Sequence, residues 1–258
     1  MTQQLKIDFD KIIKTSDFTE SDINFKKKDL NKFIENGFPN RKLENWKFSD
    51  LSQIIQKNIG QLSFYNDHSS SNKIDTSILI DGLEHNKIFF INGRVEKIDF
   101  SYEDKTQIEI NEDCKLDNLL KNNNSLIDLN KAFTNKSYKI LIKKDYSLKK
   151  PLIVYHTNNN EIKSKNINLR LEFELEQNSS LRLIDFFYDN NEKNFINIFY
   201  NFDLKKDAIL KNYKVDKTLN QNIKYSFNNI DQDENSISET FILSSGSNFF
   251  KNEINCNL

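Results

Sequence analysis

The sequence predicts a mainly β protein, a long solenoid-like run of strands behind a small helical N-terminal region. Three observations carry this. The apolar period is near 3.6 residues over positions 1–60 and falls to 2 after a polar stretch. Strand-like segments then recur, their centres about 11 to 17 residues apart, the cadence of a many-stranded β architecture. The connections between them are rich in Asn, Asp and Lys, as in "YDNNEKN" and "DQDEN", not in the glycine dipeptides that a stack of hairpins uses. Spacing alone leaves a sandwich, a barrel and a β-helix open. The composition of the connections favours a solenoid, because Asn tolerates the left-handed backbone of a tight corner. No fixed-period repeat is visible in the sequence.

Residues 1–60 form the helical region. Phe9, Ile12 and Ile13 recur at helical spacing. Ser21 is the expected N-cap of a helix whose stripe is Leu30, Phe33 and Ile34, with Gly37 as its stop and Pro39 blocking resumption. A short helix with Leu51, Ile54 and Ile55 is expected from about position 50 to 57. Residues 61–75 are polar and Ser/Asn-rich, the composition of a linker.

Residues 76–258 form the β-rich region, with the solenoid core over about 138–258. "KIFFINGRVEKIDF" reads as strand, Asn92-Gly93 turn and strand, a hairpin signal. "DNLLKNNNSLIDLNKAF" is a helical interlude. "YKILIKKDYSLKKPLIVYH" gives two strands. In "NLRLEFELE", Leu169, Leu171, Phe173 and Leu175 face one way, and Arg170, Glu172, Glu174 and Glu176 the other, towards solvent. Further strands follow in "SLRLIDFF", "FINIFYNFDL", "AILKNYKVDK", "NIKYSFNN", "SISETFIL" and "FFKNEINCNL".

Charge is nearly balanced, 37 basic against 38 acidic residues, so there is no global basic footprint for nucleic acid. Lys26, Lys27 and Lys28 read as a solvated helix face. The N-terminus has no long apolar run and no segment approaches a membrane span, so the expectation is a soluble, cytoplasmic chain without membrane contact. Cys114 and Cys256 form no CxxC pair and read as reduced thiols. Cys256 is in phase with Ile254 and Leu258 and is expected to be buried; acidic neighbours leave Cys114 unactivated. His68, His85 and His156 lie at no metal-ligand spacing and are expected to have solvent or packing roles. No nucleotide, hydrolase or metalloprotease motif is present. The residues alone therefore offer no catalytic, cofactor-binding or metal-binding set, and favour a scaffold or interaction protein over an enzyme.

One stretch says more. "GFPNRKLENWKFSDL", residues 37–51, resembles the Gly-x-Pro-x-Arg-(Lys)-x-Glu-x-Trp-(Arg/Lys)-(Tyr/Phe)-(Ser/Thr)-x-Leu signature of the SufB/SufD family of iron–sulfur cluster assembly proteins. Gly37, Pro39, Arg41, Lys42, Glu44, Trp46, Lys47, Phe48, Ser49 and Leu51 match it. "KIFFINGRV" resembles a segment of the SufD branch. Within 129–157, Leu129, Asn130, Ala132, Phe133, Ile140, Ile142, Pro151, Leu152 and Val154 match the family's entry into its β-core.

The resemblance implies a right-handed parallel β-helix and a non-catalytic SufD-like scaffold. It also implies pairing with a SufB-like protein through the β-helices, and work with a SufC-like ATPase that docks on a C-terminal helical domain. It assigns no cofactor to this chain; an iron–sulfur cluster, iron and reduced flavin belong to the family's full complex. The family's helical tail and cluster-site histidine fall beyond Leu258, so no such role passes to His68, His85 or His156. The expectation is an incomplete SufD, which leaves SufC docking in doubt. Two other readings stand beside it: a β-helix enzyme acting on polysaccharide, and an interaction solenoid unrelated to cluster assembly. Trp46 is expected to pack the N-terminal helices against neighbouring structure.

Overall fold

The computed structural model describes residues 2–64, 74, 76–112, 124–158, 162–189, 193–218 and 222–258. Three helices come first: α1 (Thr2–Thr15), α2 (Glu20–Asn36) and α3 (Leu51–Asn58). The N-cap of α2 is Thr19, two residues before the expected Ser21. Thr19 accepts from the backbone of Asp22, and the Asp22 side chain accepts in return from the Thr19 N–H. This reciprocal box satisfies two helix-end donors at once, which Ser21 could not do. Gly37 ends α2 as expected, at φ 68°. Asp50 caps α3.

A hairpin follows, β1 (Asn86–Ile91) and β2 (Arg94–Asp99), turning at Asn92-Gly93. Both turn residues have positive φ, and a Cβ on Gly93 would stand 2.8 Å from the side chain of Ile167. Then come β3 (Ile108–Glu112), which the sequence did not reveal, α4 (Ser125–Phe133) and β4 (Tyr138–Ile142). Cys114 and the first half of the helical interlude lie outside the described residues. So do His68 and most of the linker. The described part of the linker is packed: Leu62 and Phe64 are buried.

From β5 (Leu152–Thr157) the chain coils. β6 (Asn166–Leu175), β7 (Ser180–Asp189), β8 (Phe195–Leu204), β9 (Ile209–Thr218), β10 (Ile223–Gln232), β11 (Ile237–Ser245) and β12 (Phe249–Asn257) alternate between two sheets. The orders are β11-β9-β7-β5-β1-β2 and β12-β10-β8-β6-β4-β3. Neighbours within the coils are parallel, and β2 and β3 close one end of the stack antiparallel. The result is a parallel β-solenoid of about four turns. Register pairs Asn166 with Phe195, Phe195 with Ile223 and Ile223 with Phe249, so one turn advances 26–29 residues. That variation hides the repeat from a fixed-period search.

The corners explain the Asn/Asp-rich connections. Asp145, Asn178, Asp207 and Asn235 have φ between 57° and 61°. They stack, the N–H of each of the first three donating to a carbonyl of the next corner, at 2.9–3.0 Å. A left-handed residue costs about 1–2 kcal/mol for most side chains and little for Gly. Asp207→Ala is therefore expected to lower stability by about 1–2 kcal/mol, and Asp207→Gly to match or exceed the native chain, in urea unfolding.

Two cores result. Inside the coils, Leu152, Val154, Leu171, Phe173, Leu183 and Phe202 face one another. Outside the second sheet, α1–α4 bury Leu5, Phe33, Leu51 and Leu129 against Phe195, Phe199, Ile223 and Tyr225. Strands β6, β8 and β10 are thus covered on both faces. Arg170 and Glu172 correct the expectation of a solvated face: both are buried, Arg170 lying 5.2 Å over the Phe199 ring and Glu172 paired with Lys139 at 3.2 Å. Lys26 is likewise not free in solvent. Its Nζ donates to the Lys131 and Thr134 carbonyls at the end of α4, where a cation complements the helix dipole.

Candidate functional site

The inward residues change character along the solenoid. In β5–β6 they are mostly apolar. In the coil β9–β10, Asn212, Lys214, Asp216, Lys224, Ser226 and Asn228 stand between the apolar Leu210 and Ile230, all of them buried. The alternation of "KNYKVDK" sends Tyr213 out, 40% exposed, and its charged neighbours in. Asp185 of β7 is the hub of this polar lumen. Its Oδ1 accepts from His156 Nε2 and from the Tyr200 hydroxyl, both at 2.6 Å, and its Oδ2 accepts from Lys214 Nζ at 2.9 Å. Lys224 Nζ donates to Asp216 Oδ1 at 2.6 Å and lies 3.1 Å from the centre of the Phe187 ring. His156 is stacked on Phe187 at 4.0 Å.

Charges buried this deeply persist only when paired. Burial alone would raise the Asp185 pKa, but Lys214, His156 and Lys224 outweigh it and hold the carboxyl well below the usual range. Burial lowers the pKa of His156, against the pull of Asp185, so its ring is neutral at pH 7. Burial also lowers Lys224, with Asp216 and Asp185 opposing, and raises Tyr200 far above its ordinary value, with Asp185 adding to the rise.

His85 lies outside the lumen, where residues 76–85 cross the outer face of the first sheet. Ile78, Leu79 and Ile80 pack there against Phe89, Tyr155 and Phe186. His85 Nδ1 donates to the Leu83 carbonyl at 2.5 Å, and the Tyr155 hydroxyl donates to His85 Nε2 at 2.7 Å. Burial lowers this histidine too. Neither His85 nor His156 meets solvent; both hold packed networks together.

Two depressed histidines set a pH dependence. The unfolded chain takes up their protons below about pH 6.5 while the fold resists. Stability therefore falls as pH drops through that value. Asp128 acts in the opposite sense: burial raises it to about 6, so its destabilising charge is relieved as pH falls. Thermal midpoints should decline from about pH 6.5 downward, and His156→Gln should flatten that decline. An unchanged slope in the variant would count against the buried neutral ring.

The other feature is the open end of the stack. β11 and β12 are the edge strands of their sheets at that end. The outer face of β9–β11 exposes Tyr213, Phe241 (57%) and Leu243 (55%), beside the stretch that 76–85 covers. On the inward side of β12, Ile254 is 45% exposed. Cys256 corrects the expected burial. It pairs in register with Ile230, which is in the core, but it is itself exposed on β12, the edge strand of its sheet.

Residues 37–51 brace this end from outside. Trp46 is buried, stacked on Phe249 of β12 at 6.1 Å and tilted on Tyr225 of β10 at 6.0 Å. Lys251 Nζ sits 4.8 Å over its ring and donates to the Asn45 carbonyl at 2.7 Å. Asn45 Nδ2 donates to Glu253 at 3.2 Å. The expected packing role of Trp46 is met, and its partner is the last coil. Phe48, from the same stretch, is 87% exposed.

Among the described residues, no group of three or more His, Cys, Asp and Glu could hold a metal ion, and no helix is long and apolar enough to cross a membrane. Sequence reasoning missed the lumen cluster. Its only sequence signal is the charge at inward positions of "KNYKVDK", which becomes legible once register is known. In comparison with known proteins, the chain matches no family model and no curated protein.

Proposed function

We propose that this chain is a SufD-like, non-catalytic scaffold of an iron–sulfur cluster assembly complex. In this reading the solenoid pairs with that of a SufB-like protein through the outer face of β9 and β11, and the pair works with a SufC-like ATPase. The observation that carries the reading is the bracing of the last coil by residues 37–51. The stretch that resembles the family signature is the one that grips β12, through Trp46 on Phe249 and Lys251 on Asn45. A parallel solenoid behind N-terminal helices supports it further. Tyr213, Phe241 and Leu243 supply exposed apolar surface for a partner on the outer face of the first sheet. A cluster, iron and reduced flavin are then properties of the assembled complex.

The same apolar face also favours a second reading, an interaction solenoid with a different partner. Co-expression of the full chain with SufB-like and SufC-like proteins, followed by affinity capture, separates the two. Capture of the SufB-like protein is expected. Capture of neither, from cells in which both are soluble, would remove the assembly role and leave the second reading.

A further inference from the structure

We propose that residues 76–85 are a displaceable strap, held by the Tyr155 hydroxyl, which covers part of an apolar docking face and opens without the sheet beneath it. Register lays out the face. Phe89, Tyr155, Phe186, Val215 and Leu243 stand in one outward column across β1, β5, β7, β9 and β11. Ile153, Ile184, Tyr213 and Phe241 stand in the column beside it. The chemistry stays apolar along both columns, and the exposure changes. Phe89, Ile153 and Tyr155 are buried, whereas Tyr213, Phe241 and Leu243 are exposed. The buried end is the one on which Ile78, Leu79 and Ile80 pack.

The strap is tied loosely. Among the described residues, no backbone hydrogen bond joins 76–85 to a strand. Of its apolar side chains, Ile78 is buried, Leu79 and Ile80 are partly buried, and Leu83 is exposed. One side chain of the sheet holds both of its halves. The Tyr155 hydroxyl accepts from the Ile80 N–H at 3.2 Å and donates to His85 Nε2 at 2.7 Å. Glu84 adds an ion pair with Lys150 at the surface, a kind that contributes little. Between the two contacts lies Gly82, at φ 74° with open space where a Cβ would stand, a place for the backbone to turn.

Segments with few buried apolar contacts and no ladder hydrogen bonds open locally, at less cost than the sheet they lie on. Opening of the strap bares Phe89, Ile153 and Tyr155 in line with Tyr213 and Phe241. The apolar face then runs from β1 to β11, not over β9 and β11 alone. A closed strap competes with a partner that needs the longer face, and reduces its apparent affinity by the open fraction. That use rests on the assembly reading, which places a partner on β9 and β11; the opening itself does not.

The test compares adjacent residues on opposite faces of β5. Ile153 lies under the strap and Leu152 faces the lumen, and both are 0% exposed. Each is replaced by Cys in the full chain carrying Cys114→Ser and Cys256→Ser, and labelled with a maleimide at several urea concentrations below the unfolding transition. Ile153→Cys should label at least about tenfold faster than Leu152→Cys, with little dependence on urea, as local opening requires. Adding Tyr155→Phe, which keeps the ring, should speed Ile153→Cys about tenfold further. Equal rates with the same steep urea dependence would overturn the proposal, because the position would then open only with the whole fold. So would an unchanged rate in Tyr155→Phe. A second arm titrates a SufB-like protein into the native chain and into Ile78→Asp, which loses the strap's buried anchor. Binding should tighten about tenfold in the variant, and equal affinity would overturn the strap's role as a cover of the docking face. Binding to neither chain would strike the assembly reading alone, and the labelling would still decide the strap.

Discussion

Asp185→Ala is expected to lower the unfolding free energy by about 3–5 kcal/mol, the cost of breaking a buried charge network by removing one partner. The loss would leave Lys214 without its carboxylate and His156 and Tyr200 without their shared acceptor. The penalty is dominated by the orphaned lysine, since desolvating an unpaired charge costs far more than one hydrogen bond contributes. A paired replacement isolates that cause. Asp216→Leu with Lys224→Met removes both charges of the neighbouring pair, and should be near neutral or stabilising, whereas Asp216→Leu alone should be strongly destabilising. Urea denaturation of the three variants checks this directly. Equal losses in the single and the double variant would mean that packing, not charge, sets the cost.

Trp46→Ala is expected to cost about 3–5 kcal/mol, the range for deleting a buried aromatic side chain. Trp46 is 3% exposed, and it touches the solenoid through Phe249 and Tyr225. Its removal should therefore loosen one region more than others. Hydrogen exchange should speed up in β12 and at 44–46 and change little in β4–β6, which do not meet the ring. A uniform rise across all strands would contradict the brace. Trp46→Phe keeps part of the stacked area and should recover much of the loss.

The helices and strands were legible because each has a period of its own. The α2 stop at Gly37, the Asp50 helix and the Asn92-Gly93 hairpin follow from local chemistry that no tertiary contact overrides. The corner asparagines were legible in kind, since Asn and Asp tolerate positive φ, and the structure uses them at each stacked corner. Burial was less legible, because it depends on what lies over a strand. Glu172 and Cys256 each sit on the face that alternation assigns. Yet the first is buried beside Lys139 of the neighbouring strand, and the second is exposed on an edge strand. The lumen cluster was illegible for a related reason. In "KNYKVDK" alternation offers two phases, and hydrophobicity favours turning Tyr213 and Val215 inward. Neighbouring strands decide otherwise: Leu183 pairs with Asn212, and Asp185 with Lys214, so register carries the charges into the core. Pairing of Lys214 with Asp185 is then what makes that register tolerable.

The measurement that bears most directly on the assembly reading is hydrogen exchange of the full chain with and without a SufB-like protein. The expected result is slowed exchange in the backbone amides of β9 and β11, whose outer face carries Tyr213, Phe241 and Leu243, with α1–α3 unchanged. No slowing in either strand, or slowing confined to the N-terminal helices, would contradict the placement of the partner on the outer face of the first sheet.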